Sequence, residues 1–156
     1  GIGIARGEHC CTVSRSHPLR SVDIQTLPFP GFPTDMQAQT MCLLAQGSDS
    51  CVITENVFEN RFMFASELQR MGADIRIEGH HAIVHGVRRF SGAEVRSPDL
   101  RGGAALVMAG LVADGITTVS DIHHIDRGYE NFVPKLQALG ARVRRLAVEK
   151  PDGDEE

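Results

Sequence analysis

The chain has 156 residues, of which 42% are hydrophobic and 23% are charged. This length and balance indicate one globular domain whose core needs no disulfides, and they exclude a disordered polypeptide. The formal net charge is −4, and no stripe of basic and aromatic residues is present, which argues against nucleic acid as a partner. A few arginines that converge in one cleft can still bind a small anion.

The apolar residues and the cysteines indicate a protein of the reducing cytoplasm without a membrane span. The longest apolar run, residues 104–113, is about half as long as a membrane-spanning helix requires. Cys10, Cys11, Cys42 and Cys51 lack the C-x-x-C spacing of a zinc site and the regularity of a disulfide framework. We therefore expect free thiols, no membrane contact and a cytoplasmic location, with Cys42 buried as a small apolar side chain.

Hydrophobic periodicity predicts strands and helices in alternation. The first residues, 1–13, indicate a strand pair without helices of its own. The next predicted strands cover 22–26, 50–54, 74–78 and 82–85, with one helix that begins near residue 34 and ends early at Gly47, and another over 58–71. The second half has predicted strands over 93–96, 117–120 and 142–146 and helices over about 99–113 and 128–139. These elements place the chain in the α/β (α+β) class.

Two segments of the chain resemble each other. Residues 68–76 and 136–144 share the pattern L-Q-x-[ML]-G-A-x-[IV]-R. In both, a helix is predicted to end and a strand to begin, and Gly72 and Gly140 lie where a helix C-terminus needs a positive φ. The self-similarity predicts two β-α-β-α-β units with one more strand in the first, over residues of about 21–86 and 87–148. The acidic end, residues 149–156, is predicted to be a disordered tail.

Four motifs are too specific in sequence to result from amino-acid composition alone. They are PFPGFPTDMQAQ at residues 28–39, ITENVFENRFM at 53–63, DLR at 99–101 and DIHHIDRGYE at 121–130. In content, order and spacing they resemble the enolpyruvyl transferase family. The FPTD and ENRF blocks resemble the cell-wall branch of that family, which acts on UDP-N-acetylglucosamine, more than its shikimate-pathway branch.

The resemblance implies a fold and an activity. The fold is built of repeated β-α-β-α-β-β units of an inside-out α/β barrel, and residues 1–148 would hold two of the three units of the C-terminal domain. The activity joins the enolpyruvyl group of phosphoenolpyruvate to the 3'-hydroxyl of UDP-N-acetylglucosamine through a tetrahedral ketal and releases phosphate. It needs no cofactor and no metal. The third unit and the other domain, with its reactive cysteine loop, would be a necessary partner, so this chain alone is expected to be catalytically incomplete.

The resemblance also implies roles for two aspartates and a valine. Asp35 matches the residue that contacts the sugar hydroxyl and is the proposed base, and Asp99 matches an aspartate near the reacting carbon. Without the family, each would be interpreted as the N-cap of a helix. Val57 matches a position whose backbone contacts the sugar nucleotide, and without the family it would be a core valine.

Three arginines complete the implied site. Arg61, Arg101 and Arg127 match residues that neutralise phosphoenolpyruvate and the charge of the intermediate, as such chemistry requires. Each would otherwise be interpreted as a partner in a surface ion pair. Because they lie near equivalent helix starts of the two units, they are predicted to converge on one cleft.

Histidines offer a competing interpretation. His80, His81 and His85 lie in one strand-like run, and His123 and His124 lie together further on. Strand alternation places only His81 and His85 on one face, and no carboxylate is suitably spaced, so no zinc site is expected.

Two other functions remain open. One is a module that binds a nucleotide sugar or assembles with another chain without chemistry, which predicts an exposed apolar face. The other is a purely structural α/β domain, in which Arg61, Arg101 and Arg127 would point away from one another.

Overall fold

The structure is a computed structural model that describes residues 1–147. The tail predicted over 149–156 lies outside the described residues. In the described range the strands are β1 (Ile2–Arg6), β2 (Cys11–Arg15), β3 (Ile24–Gln25), β4 (Ser50–Thr54), β5 (Asp74–Glu78), β6 (His81–His85), β7 (Glu94–Arg96) and β8 (Thr118–Ser120). The helices are α1 (Gln37–Leu44), α2 (Ala65–Arg70), α3 (Leu100–Val112), α4 (His123–Asp126) and α5 (Phe132–Ala138). The fold is mixed α/β, as predicted.

The first half of the chain forms a four-stranded sheet with the order β3-β4-β6-β5. Strands β3 and β4 are parallel, while β6 is antiparallel to both of its neighbours. Alternate residues of β4 and β6 are buried, as expected for a sheet with one covered face: Cys51 and Ile53, Ala82 and Val84. In β5 only Ile75 is buried. Helices α1 and α2 pack on this sheet.

The second half forms a smaller sheet in which β7 and β8 are parallel. Helix α3, which follows β7, packs against α1 of the first half. Because Leu106 and Ala109 of α3 belong to the same hydrophobic core as Met41 of α1 and Leu68 of α2, the two halves share one core. This shared core brings the starts of α1 and α3 close together.

The predicted helix ends are confirmed in both repeats. Gly72 has φ +89° and Gly140 has φ +90°, a region that residues with a Cβ rarely adopt. In each repeat, the glutamine three residues earlier, Gln69 or Gln137, donates its side-chain N–H to the carbonyl six residues ahead, at 2.6 and 2.7 Å. Helix α1 ends at Leu44, so the predicted early end is also confirmed.

Two predicted helices are shorter than expected. The helix predicted over 58–71 begins only at Ala65, and the one predicted over 128–139 is limited to α5. In both places an asparagine adopts a left-handed backbone, Asn60 with φ 52° and Asn131 with φ 50°. Since a right-handed helix cannot pass through such a residue, turns replace the first part of each helix.

The strand predicted over 142–146 is wrong. In the first repeat, β5 joins its sheet only through β6, with which it pairs over its whole length. Among the described residues, nothing in the second repeat occupies the position of β6. Without a neighbour to hydrogen-bond, the segment stays outside a sheet despite its alternating pattern.

The predicted strand pair at the start of the chain is confirmed as an antiparallel hairpin of β1 and β2. All residues of both strands are exposed. None of the helices within residues 1–147 is long and apolar enough to cross a bilayer.

Candidate functional site

An aspartate held by two arginines lies where the starts of α1 and α3 meet. Asp35 Oδ1 accepts a hydrogen bond from Arg61 Nη2 at 3.1 Å, and Asp35 Oδ2 accepts one from Arg101 Nη2 at 3.0 Å. The Asp35 side chain is 56% exposed, whereas the arginines are 25% and 28% exposed. Two guanidinium groups therefore hold one carboxylate that faces solvent.

Three local structures position these side chains. Asp35 lies in a single 3₁₀ turn, Thr34–Met36, that leads into α1. Its side chain accepts no capping hydrogen bond there, so the interpretation of Asp35 as an N-cap is wrong. Arg61 lies in the turns before α2, and Arg101 lies in the first turn of α3. The Arg101 ion pair thus joins the second half of the chain to the first, whereas the Arg61 ion pair lies within the first half.

The charges of the cluster alter the acidity of Asp35. The hydrogen bond from Arg101 has the largest effect, partial burial opposes it, and the positive charges of Arg101 and Arg61 add to it, so that the pKa of Asp35 lies below its ordinary value. The pKa of Arg101 is raised, chiefly by its hydrogen bond to Asp35. At neutral pH the carboxylate is ionised and can only accept hydrogen bonds.

Asp99 caps α3. Its Oδ1 accepts hydrogen bonds from the backbone amides of Arg101 and Gly102, both at 2.8 Å. The N-cap interpretation is therefore confirmed for Asp99, and the cap fixes the backbone from which Arg101 reaches Asp35. A role of Asp99 near the reacting carbon stays a prediction.

Tyr129 lies beside the cluster and received no role from the sequence. The Arg101 guanidinium carbon lies 5.8 Å from the centre of the Tyr129 ring, within the range of cation–π attraction. Gln39 Nε2 donates to the Tyr129 hydroxyl at 3.3 Å. The sequence did contain one indication of a role for Tyr129. It is the single tyrosine of the chain, and it lies in the same motif as the candidate residue Arg127.

Arg127 does not join the ion pairs. It follows α4 and is exposed, and no ion pair connects it to another residue of the described range. Arg61 and Arg101 converge on Asp35, which contradicts the purely structural interpretation for these two arginines. The convergence of Arg127 stays a prediction.

A buried carboxylate underlies the site, and the sequence reasoning assigned it no role. Glu55 is 3% exposed and accepts hydrogen bonds from the Thr26 and Thr34 hydroxyls, each at 2.9 Å. Burial raises the pKa of Glu55, but the amides of Val57 and Phe58 and the two hydroxyls outweigh this effect, so the pKa is lower than usual. Glu55 thus remains charged inside the fold.

Val57 is 38% exposed, so the interpretation as a core valine is wrong. It lies in a cleft of about 500 Å³ that residues 55–62 line together with Gly79 and His80. The Val57 amide donates to Glu55 Oε1 at 2.9 Å. Arg61 lies in the same lining, with its guanidinium 5.3 Å from the centre of the Phe58 ring.

The histidines pair with hydroxyl groups on the strands. His81 Nδ1 lies 2.9 Å from the Thr54 hydroxyl, and His85 Nδ1 lies 2.6 Å from the Ser50 hydroxyl. Within the described residues no group of three potential metal ligands occurs.

The cysteines in the described range are all free thiols. Cys42 is buried, as predicted, and burial raises its pKa to about 12. Cys51 is also buried, and its pKa is raised by burial and by the charge of Asp23.

Comparison with known proteins identifies close similarities. The chain is 51% identical to UDP-N-acetylglucosamine 1-carboxyvinyltransferase 2 of Clostridium tetani over 94% of this chain and 35% of that protein. It is 56% identical to the enzyme of the same name from Carboxydothermus hydrogenoformans, over 90% of this chain and 33% of the relative. A third relative, from Desulfofundulus thermocisternus, is 53% identical and is covered over 62% of its length. The chain thus spans about a third of the length of the first two relatives.

Solved structures give the same fold. The enolpyruvyl transferase NikO from Streptomyces tendae superposes with a TM-score of 0.84 at 32% identity, over 92% of this chain and 34% of NikO. EPSP synthase from Acinetobacter baumannii, at 17% identity and a TM-score of 0.64, shares the fold. The family model for EPSP synthase (3-phosphoshikimate 1-carboxyvinyltransferase) matches residues 1–136. The chain therefore belongs to the EPSP synthase family, and the relatives above carry the name of the branch that its motifs resemble.

Proposed function

We propose that this chain contributes to the transfer of the enolpyruvyl group of phosphoenolpyruvate to the 3'-hydroxyl of UDP-N-acetylglucosamine, with release of phosphate. We place this step in the synthesis of peptidoglycan in the cytoplasm. The observation that carries the proposal is the Asp35 carboxylate, exposed to solvent and held by Arg61 and Arg101. The names of the relatives support the choice of substrates.

The cluster suits a reaction that needs a base and cations. Before a substrate binds, Asp35 offsets part of the positive charge of Arg61 and Arg101 and remains a weak base. When anionic phosphoenolpyruvate replaces Asp35 as the ion-pair partner of the arginines, the pKa of Asp35 rises. The carboxylate can then accept the proton of the sugar hydroxyl. The hydroxyl oxygen then bonds to C2 while C3 gains a proton, and the ketal later loses phosphate together with a proton from C3.

The remaining candidates support these groups. Asp99 orients the start of α3 from which Arg101 extends, and it lies near the reacting carbon in the complex. Arg127 supplies a further positive charge for the phosphate. Because the Val57 amide already donates to Glu55, we assign its carbonyl oxygen as the backbone group that contacts the sugar nucleotide.

We further propose that the chain supplies one wall of the site. It would comprise two of the three units of an inside-out α/β domain, at about 21–86 and 87–148, and would not turn over alone. The coverage of only about a third of the first relatives supports this view. The exposed hairpin of β1 and β2 favours the alternative, a module that binds the nucleotide sugar or assembles with another chain without chemistry.

Calorimetric titration of the chain tests the proposal. We expect UDP-N-acetylglucosamine to bind, and we expect Asp35→Asn to weaken binding about tenfold, the effect of losing one charge-assisted hydrogen bond. Asp114→Asn is the matched control, because Asp114 is a similarly exposed aspartate that pairs with Arg89 elsewhere.

Phosphate release is followed in the same cell after phosphoenolpyruvate is added. Binding without release supports an incomplete site, and release would show that the chain is catalytically complete. Equal affinity of the wild type and Asp35→Asn would place the nucleotide sugar elsewhere.

A further inference from the structure

Glu55 is a buried carboxylate that the proposed chemistry does not use. It follows β4 directly and is 3% exposed. Five donors in three segments of the chain hydrogen-bond to it: Thr26, then Thr34 and Gln37, then the backbone amides of Val57 and Phe58. No cation pairs with it among residues 1–147, so neutral donors alone stabilise its charge.

The two oxygens of Glu55 hold different segments. Oε1 accepts from the amides of Val57 and Phe58, at 2.9 and 3.1 Å, at the start of the stretch that leads to Arg61. Oε2 accepts from the hydroxyl of Thr34 at 2.9 Å, directly before Asp35. A single rigid group therefore connects the turn that carries the aspartate to the loop that carries its arginine partner.

A carboxylate satisfies this arrangement with acceptors on both sides. The two backbone amides need an acceptor on one side, while Gln37 Nε2 donates at 3.3 Å on the other. Glutamine at position 55 can fit as well, because the Thr34 hydroxyl can accept as well as donate and the Gln37 amide can turn over. Glu55→Ala leaves both segments without their acceptor.

We propose that Glu55 is a positioning residue of the candidate site, which sets the separation of Asp35 and Arg61 by holding their two segments on opposite oxygens of one carboxylate. The inference concerns the same site as the proposed function, and its relevance to catalysis rests on that function. The geometry that it describes is independent of any substrate.

The test follows the carboxyl carbon of Asp35 by ¹³C NMR as the full chain is titrated with acid. Glu55→Ala and Thr34→Val are compared with the wild type. Glu78→Ala is the control, because Glu78 is an exposed glutamate paired with Arg76 at the end of β5. We expect the pKa of Asp35 to rise toward its ordinary value in both test variants, since misplaced segments lose hydrogen bonds from the arginines. The control leaves the pKa of Asp35 unchanged.

The direction of the shift separates positioning from simple electrostatics. Removing a nearby negative charge lowers the pKa of an aspartate, whereas loss of its arginine partners raises it. An unchanged or lowered pKa of Asp35 in Glu55→Ala, with only a lower Tm, would overturn the proposal. Thr34→Val removes no charge and still gives a result if Glu55→Ala does not fold.

The outcome is independent of ligand binding. If the pKa of Asp35 rises in the variants while the wild type binds no UDP-N-acetylglucosamine, the positioning role stands and the proposed function fails. If the wild type binds and neither variant alters the pKa of Asp35, the proposed function stands and the positioning role fails.

Discussion

Two replacements of Asp99 separate the stability that its helix cap contributes from the stability that its charge contributes. In Asp99→Ala the amides of Arg101 and Gly102 lose the acceptor that now lies at 2.8 Å from each. Loss of an N-cap costs about 1 kcal/mol, and loss of a negative charge at a helix N-terminus adds about 0.3–1 kcal/mol. We therefore expect Asp99→Ala to lower the free energy of unfolding by about 1.5 kcal/mol.

Asp99→Asn is the matched variant, because asparagine caps a helix about as well as aspartate. It should lose only the charge effect, about 0.3–1 kcal/mol. For a chain of this length, each kcal/mol corresponds to about 2–4 °C in Tm. Thermal unfolding followed by circular dichroism should therefore give a Tm lower by about 3–6 °C for Asp99→Ala, and by clearly less for Asp99→Asn. Equal losses in the two variants would refute the capping account.

Three further predictions concern the packing of α3, the charge of Glu55 and the burial of the cysteines. Gly103→Ala should destabilise the chain by about 1–3 kcal/mol in urea unfolding, because the new Cβ overlaps the Ser97 hydroxyl; an unchanged midpoint would contradict this packing. The stability that Glu55 contributes, through a pKa lowered from 4.5, is present above pH 4.5 and is lost as the pH falls through the lower folded value. The difference in unfolding free energy between the wild type and Glu55→Gln should accordingly shrink below pH 4.5, and a constant difference would oppose the assignment. In thiol labelling at pH 8, exposed Cys10 should react rapidly and buried Cys42 slowly; equal rates would show that Cys42 is accessible.

Local signals explain which elements were predictable. The range of α3 follows from a capping aspartate, Asp99, and the long apolar run behind it. Gly72 and Gly140 mark helix ends because each needs a positive φ. These features depend on neighbours in the sequence, so the pattern alone predicts them.

Other features depend on distant residues. Sequence alone favours Asp35 as an N-cap because it precedes a helix, but its partner Arg101 lies 66 positions away and reaches it only because α1 packs on α3. The importance of Glu55 was missed for the same reason, since its donors come from three separate segments. The strand predicted over 142–146 failed because strand formation requires a neighbour, which a period of two does not reveal.

In the proposed reaction, Arg61 and Arg101 exchange the carboxylate of Asp35 for a substrate anion. The most direct measurement is the pKa of Asp35, from the titration of its ¹³C-labelled carboxyl carbon, with and without phosphoenolpyruvate and UDP-N-acetylglucosamine. We expect the pKa of Asp35 to lie below its ordinary value in the free chain and to rise when the substrates are added. A pKa that stays the same at saturating substrate would contradict the exchange.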